Sequence, residues 1–158
     1  MRTKASIGGL PHRLAGRARI AVVRADFNGR ITTSLERACL GALRSAGIPD
    51  GRVDRFTVPG CFELPVMAQR LALRRRYDVI IVFGAVIRGD TYHFELVANE
   101  CAHGIMDVSL RHNVPVIFEV LAVDSMRDAL RRSGDNRMNK GLEAASAALA
   151  MLASLDSI

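Results

Sequence analysis

The chain has 158 residues, 49% of them hydrophobic and 24% charged, and 22 Lys and Arg against 16 Asp and Glu leave a formal net charge of +6. That length suits a single core, the composition excludes a disordered chain, and no apolar run approaches the roughly 20 residues of a membrane-crossing helix. The positive charge favours a phosphate-bearing partner, but scattered basic residues, 5% aromatics and no recognisable nucleic-acid module make a small anionic ligand as good an account as nucleic acid.

The amino-terminal stretch "MRTKASIGGLPHRLAGRAR" is basic, without the apolar centre of a secretory signal or a clear transit-peptide pattern. It predicts a poorly ordered arm over residues 1–16, ahead of one domain over 17–158. "ARIAVVRADFN" reads as a strand ending in a loop. "TTSLERACLGALRSAG" follows as a helix, with Thr32, Thr33 and Ser34 as possible caps, Leu35, Cys39, Ala42 and Ala46 on one face, and Gly47 as the stop. The alternation then repeats. "VDRFTV" is a short strand, "PGCFELPVMAQRLALRRR" turns helical after Pro59-Gly60, and "YDVIIVFGAVI" is a continuous apolar strand. From His93 to about Asn113, apolar residues at 97, 101, 105 and 108 have helical spacing. "VPVIFEVLAV" reads as another buried strand and "SMRDALRRS" as a short helix. The final helix carries Met138, Leu142, Ala145, Leu149 and Leu152 along one stripe.

Strands that alternate with helices and are apolar throughout predict a parallel sheet covered on both faces, with right-handed crossovers. Ligands of such sheets bind at the carboxyl ends of the strands. Four loops fall on that rim: "DFN", "PGCFE", "RGDTYH" and the loop associated with "FEVLAV". Cys39, Cys61 and Cys101 are widely spaced, with neither a C-x-x-C pair nor zinc spacing, and read as reduced, buried cytosolic thiols.

At the rim, Gly89-Asp90-Thr91 lies between a strand and a helix, where backbone N–H groups and the helix dipole favour an anion; the same residues also suit an ordinary helix cap. His93 is a candidate for proton transfer beside Arg88, or a structural histidine at a helix start. Phe27, Phe62 and Phe118 could sandwich a planar heterocycle or simply fill the core. Arg132 and Lys140 flank "SGDNRMN" and gain a role only if a ligand or a second subunit meets them.

Five motifs in order, "DFN", "VPGCFELP", "GAVIRGDTYHFELVANE", "VPVIFEVLAVDSMRDALRRS" and "NKGLEAA", resemble the lumazine synthase family, over residues from about 18 to 155. The resemblance implies a three-layer α/β/α sandwich of flavodoxin-like shape with a four-stranded parallel sheet. It implies no metal or organic cofactor, and an active site shared between adjacent subunits of a pentamer. The family condenses 5-amino-6-(D-ribitylamino)uracil with 3,4-dihydroxy-2-butanone 4-phosphate, releasing phosphate and water to give 6,7-dimethyl-8-ribityllumazine. By the same resemblance Phe27 stacks on the pyrimidine with Asn28 beside it, and Cys61, Phe62 and Glu63 hold the ribityl chain. Val86 and Ile87 run along the heterocycle, Gly89, Asp90 and Thr91 form the phosphate turn, and His93 moves protons. From the neighbouring subunit Phe118 covers the ring, Arg132 clamps phosphate and Lys140 lies near the pyrimidine carbonyl.

The chain departs from the family at Glu119, where glycine is common, and at Ala122 and Val123, where threonines are common. In the family that the chain resembles, longer loops around residues 133–139 accompany free pentamers, so the resemblance and the absence of an obvious insertion there imply a sixty-subunit shell. A pentameric relative that binds a flavin or lumazine without turnover is the rival expectation, which a replaced His93 or Arg132 would have favoured.

Overall fold

The computed structural model describes residues 10–158. Four strands, β1 (Ile20–Ala25), β2 (Val53–Val58), β3 (Val79–Ile87) and β4 (Val116–Val123), form one parallel sheet in the order β2-β1-β3-β4. Among the described residues six α-helices accompany them: α1 (His12–Ala15), α2 (Gly29–Ser45), α3 (Leu64–Leu73), α4 (His93–His112), α5 (Met126–Ser133) and α6 (Lys140–Asp156). Among the described residues no helix is long and apolar enough to cross a membrane.

Strand periodicity divides the core into two layers. Successive side chains point to opposite faces, so Ile20, Val22, Ile81 and Phe83 meet α2 and α6, while Ala21, Val23, Ile80 and Val82 meet α3 and α4. The expected three-layer α/β/α sandwich of flavodoxin-like shape is therefore present, centred on β3, whose first seven residues are all buried. Each fully buried Ile, Val or Phe there contributes about 1.5–3 kcal/mol by leaving water. Gly141 brings α6 against α2: a Cβ at that position would collide with the Leu35 carbonyl.

Several local expectations need correction. The first long helix starts at Gly29, not at Thr32–Ser34, because Asn28 adopts the left-handed conformation (φ 58°) that asparagine tolerates and opens the helix itself. Thr32 lies inside the helix, its hydroxyl donating to the Ala25 carbonyl at 2.7 Å. Gly47, at φ 91°, does end the helix. The helix expected after Pro59-Gly60 begins as a 3₁₀ turn over Cys61–Glu63 and ends at Leu73. Met138 is exposed and precedes α6, so the buried stripe is carried by Ala145, Leu149 and Leu152 with Gly141, Ala144 and Ala148.

β4 is an edge strand, not a buried one: it pairs only with β3, and Phe118 and Ala122 are exposed. Of the arm expected over 1–16, residues 1–9 lie outside the described residues. In the remainder Leu10 and Ala15 are buried in the α2/α6 layer, and Arg13 pairs with Asp156 at 2.8 Å, holding α1 to the end of α6.

Candidate active site

Backbone hydrogen bonds gather the strand exits into one shelf. Past the end of β1, Asp26 N–H donates to Val58 O and Phe27 N–H to Pro59 O, so the first two loops are zipped together. The Asn28 amide donates to Ala85 O at 2.8 Å, which fixes the first loop to β3. Arg88 N–H donates to Val123 O, which fixes the exit of β3 to that of β4. The shelf thus brings together Phe27, Asn28, Cys61, Phe62, Glu63, Val86, Ile87, Gly89, Asp90, Thr91 and His93.

Their side chains divide by burial. Phe27 is 71% and Phe62 59% exposed, an unusual use of two large apolar groups left largely uncovered by the described residues. Val86 and Ile87 are half-buried at the end of β3. Glu63 is half-buried, its carboxylate folded against Gly60. Cys61 points the other way, into the core against Gly84 and Leu64, and burial pushes its thiol up to about 11. It is a packing group that sets where Phe62 and Glu63 stand. Cys39 and Cys101 are buried free thiols as well.

The turn after β3 is open. Gly89, Asp90, Thr91 and His93 are exposed, and a Cβ on Gly89 would meet nothing within 4 Å. The expected capping by Asp90 or Thr91 is not what the turn adopts: Tyr92 is the cap residue of α4 and makes no side-chain cap bond. Thr91 Oγ1 accepts only a long bond, 3.4 Å, from His93 N–H. Apart from that bond, no described cap residue satisfies the start of this 20-residue helix, a setting that favours an anion.

Arg88 plays a different part from the one its position suggested. Its guanidinium donates to Asp124 at 2.9 Å and to Glu95, and stacks 4.3 Å from the Phe94 ring centroid. Those partners raise its pKa, Asp124 foremost, and the Arg88 hydrogen bond lowers that of Glu95. Arg88 is a brace between the turn, α4 and the β4 exit, with its charge answered twice. An anion at the turn must draw a cation from elsewhere. Glu95 and Asp124, which position this brace, carried no sequence signal beyond their nearness to the motif.

Three of the sequence candidates stand apart from the shelf. Phe118, 40% exposed, is in register with Val82, well back from the exit of β3, so the fourth loop does not bring it to the rim. Arg132 lies in the last turn of α5, where its guanidinium donates to Asp128 O at 3.2 Å and stands 3.7 Å from the Asp128 carboxylate. The Ser125 hydroxyl first, and then the neighbouring arginines, hold that carboxyl below its usual range. Lys140 opens α6 and donates to Glu143 at 2.6 Å. Asn139 places it: buried, it accepts from Gly141 N–H and donates to the Ser133 and Gly134 carbonyls, fixing the α5–α6 connection. A cleft of about 800 Å³ lies at the opposite, amino-terminal end of the sheet, lined by Tyr77, Arg111 and His112 among others.

These features define the class: an α/β sandwich of flavodoxin-like shape, with candidate site residues gathered at the carboxyl rim of its parallel sheet, where such folds bind ligands. A family model described as 6,7-dimethyl-8-ribityllumazine synthase matches residues 17–156. The chain belongs to that family, whose members are transferases that form a lumazine in riboflavin biosynthesis.

Proposed function

We propose that the chain condenses 5-amino-6-(D-ribitylamino)uracil with 3,4-dihydroxy-2-butanone 4-phosphate to 6,7-dimethyl-8-ribityllumazine, in a site completed by a second subunit. The observation that carries this reading is the open shelf itself. Two exposed phenylalanines stand beside an uncapped helix start, and the further aromatic and cationic groups that the chemistry needs lie elsewhere on the same chain.

On this reading Phe27 stacks on the pyrimidine, with Asn28 beside it and Val86 and Ile87 along its edge, while Glu63 accepts from the ribityl hydroxyls near Cys61 and Phe62. The N–H groups of Gly89, Asp90 and Thr91 receive the phosphate. Because Arg88 is committed to Asp124 and Glu95, the phosphate takes its cation, Arg132, from the neighbour. The neighbour's Phe118 covers the ring and its Lys140 meets the pyrimidine carbonyl.

The 5-amino nitrogen attacks the ketone carbon, and loss of water gives an imine. Loss of the C3 proton then expels phosphate and leaves an enol that tautomerises to a ketone, and attack on that carbon by the ribitylamino nitrogen, with loss of a second water, closes the ring. His93, exposed beside the turn, relays protons to and from the departing groups. Holding both reactants in one site supplies the rest of the acceleration. The reading includes a cytosolic protein, a homo-oligomer of pentamers up to a sixty-subunit shell, small-molecule substrates only, and no added cofactor.

Mixing purified protein with the two substrates and following lumazine absorbance and fluorescence tests it. Saturable, protein-dependent formation of the lumazine is expected. Tight binding of the product without turnover would replace the enzyme by the non-catalytic binding relative.

A further inference from the structure

Arg24 is the one charged residue of β1. Strand alternation puts it on the α2/α6 face with Ile20 and Val22, and its side chain is 16% exposed. There its guanidinium meets three parts of the fold. Nε stands 3.5 Å from the Glu36 carboxylate of α2, Nη2 donates to the Thr57 hydroxyl of β2 at 3.5 Å, and Nη1 donates to Asp26 Oδ1 at 3.0 Å, one residue before Phe27. A Cβ on Gly29 would stand 3.9 Å from Asp26 Oδ1 and 4.0 Å from Arg24 Nη1, so this ion pair closes the base of the turn over residues 26–29.

Glu36 does not need this arginine to answer its charge. It is buried, and a buried carboxylate is costly unless paired. Arg55 of β2 already donates to both of its oxygens, at 3.1 and 3.0 Å. Arg24 is thus a second cation on an anion that is already paired, and its nearer carboxylate is Asp26. The Asp26 side chain is 68% exposed, so the pair adds little to stability. What it fixes is local geometry. Asp26 and Asn28 flank Phe27, and Asn28 holds the left-handed conformation at φ 58°. The Asn28 amide, bonded to Ala85 O, ties one side of that turn to β3, and Arg24 ties the other to β1 and α2.

We propose that Arg24 is a positioning residue for the pyrimidine side of the site: anchored on the buried Glu36, it holds Asp26 and thereby the angle at which the turn presents the Phe27 ring. The inference rests on the reading of Phe27 as the group that stacks on the pyrimidine. That ring is largely exposed, so the turn beneath it, more than packing, sets its place. Among the described residues the polar partners of Arg24 lie on β1, α2, β2 and the first loop, and none lies on the turn after β3. Loss of the link therefore weakens binding of one substrate and spares the other.

Steady-state kinetics of intact wild type, Arg24→Gln, Asp26→Ala, the double variant, Arg55→Gln and Phe27→Ala test this. Affinity for 6,7-dimethyl-8-ribityllumazine, read from its fluorescence, gives the same comparison independently of turnover. Arg24→Gln and Asp26→Ala should each raise the pyrimidine KM and the lumazine Kd about three- to tenfold, with the KM of the phosphorylated substrate within about twofold of wild type. The double variant should bind no more weakly than the weaker single, because both changes cut one link. Arg55→Gln removes the other partner of the same carboxylate and should lower the melting temperature without moving the pyrimidine KM, which separates lost stability from lost position. Asp26→Ala, at an exposed side chain, carries the test should Arg24→Gln fail to fold. A pyrimidine KM unchanged in Asp26→Ala or in folded Arg24→Gln, shifts that multiply in the double variant, or an equal rise in Arg55→Gln overturns the inference, while a raised KM in Phe27→Ala leaves the stacking contact standing. Pyrimidine KM and lumazine Kd both unchanged in Phe27→Ala overturn the contact itself, and the inference with it.

Discussion

Gly84→Ala tests how the core sets the shelf. A Cβ on Gly84 would stand 2.5 Å from Cys61 Sγ, 3.2 Å from Val120 Cγ1 and 3.3 Å from Leu64 Cδ1. Sulfur and carbon in ordinary contact need about 1 Å more than the first of these, and the close-packed interior offers little slack. The new methyl should therefore push Cys61 outward or strain β3 against β4. Overpacking of this kind costs about 1–3 kcal/mol, or roughly 2–12 °C in melting temperature for a chain of this size. Cys61→Ala alone removes the sulfur and leaves a small void, at a cost of order 1 kcal/mol. Combined, the two changes fill each other's space, so the double variant should be more stable than the sum of the singles predicts by about 1 kcal/mol or more. Urea unfolding at one protomer concentration measures the cycle, since any association adds to apparent stability. Because Phe62 and Glu63 follow Cys61 directly, pyrimidine KM should rise in Gly84→Ala and recover in the double variant. Additivity within about 0.5 kcal/mol would show that Gly84 and Cys61 do not share a contact and would refute the reasoning.

His93→Ala should keep the assembly mass and lower kcat by no more than the ~10²–10⁴-fold typical of proton transfer; an unchanged kcat in the folded variant removes His93 from the mechanism. Arg132→Ala should chiefly raise the KM of the phosphorylated substrate, and equal shifts for both substrates would refute its phosphate role. Co-expressed in equal amounts, the His93 and Arg132 variants should regain activity in about a quarter of interfaces, whereas only the mean of the parent activities in verified mixed assemblies would place the site within one chain. Glu119 also predicts a stability trend: its carboxyl is raised in the fold to about 7, so the folded chain holds the extra proton and stability falls as pH climbs from the ordinary carboxyl range through 7. With solvent screening the loss should be about 1–2 kcal/mol, absent from Glu119→Gln, and a wild-type slope in that variant would refute it.

Much of the fold was legible because hydrophobic period and chain punctuation agree. β2 occupies Val53–Val58, the stretch read as "VDRFTV", and α4 presents Cys101, Ile105 and Val108 to the core as their spacing predicted. The start of α2 was not legible, since Thr32, Thr33 and Ser34 have the chemistry of caps, whereas the left-handed turn at Asn28 depends on a bond to Ala85, 57 residues away. β4 misled for another reason. An edge strand usually alternates apolar and polar residues, but here the outward positions include Phe118 and Ala122, so the run looks central. The shelf residues of the first three loops were legible as a set because one sheet gathers them. The engagement of Arg88 was not, because its partners Glu95 and Asp124 meet only after β4 is laid beside β3.

On the proposed reading, that engagement gives a physical reason for dividing the site between subunits. A cation placed permanently at the turn after β3 would lie between Glu95 and Asp124 and be neutralised before an anion arrived, as Arg88 is. Arg132 is kept differently. Its ion partner Asp128 is 3.7 Å away, beyond a good hydrogen bond, and is itself occupied by Ser125 and Arg131. A solvent-screened pair of this kind is weak, worth less than a guanidinium gains from two charge-assisted bonds to phosphate. On the proposed reading the arginine that braces the turn and the arginine that binds substrate are separate residues. One is saturated so that the turn holds its shape, and the other is left weakly partnered on a different part of the fold, where a second subunit can present it.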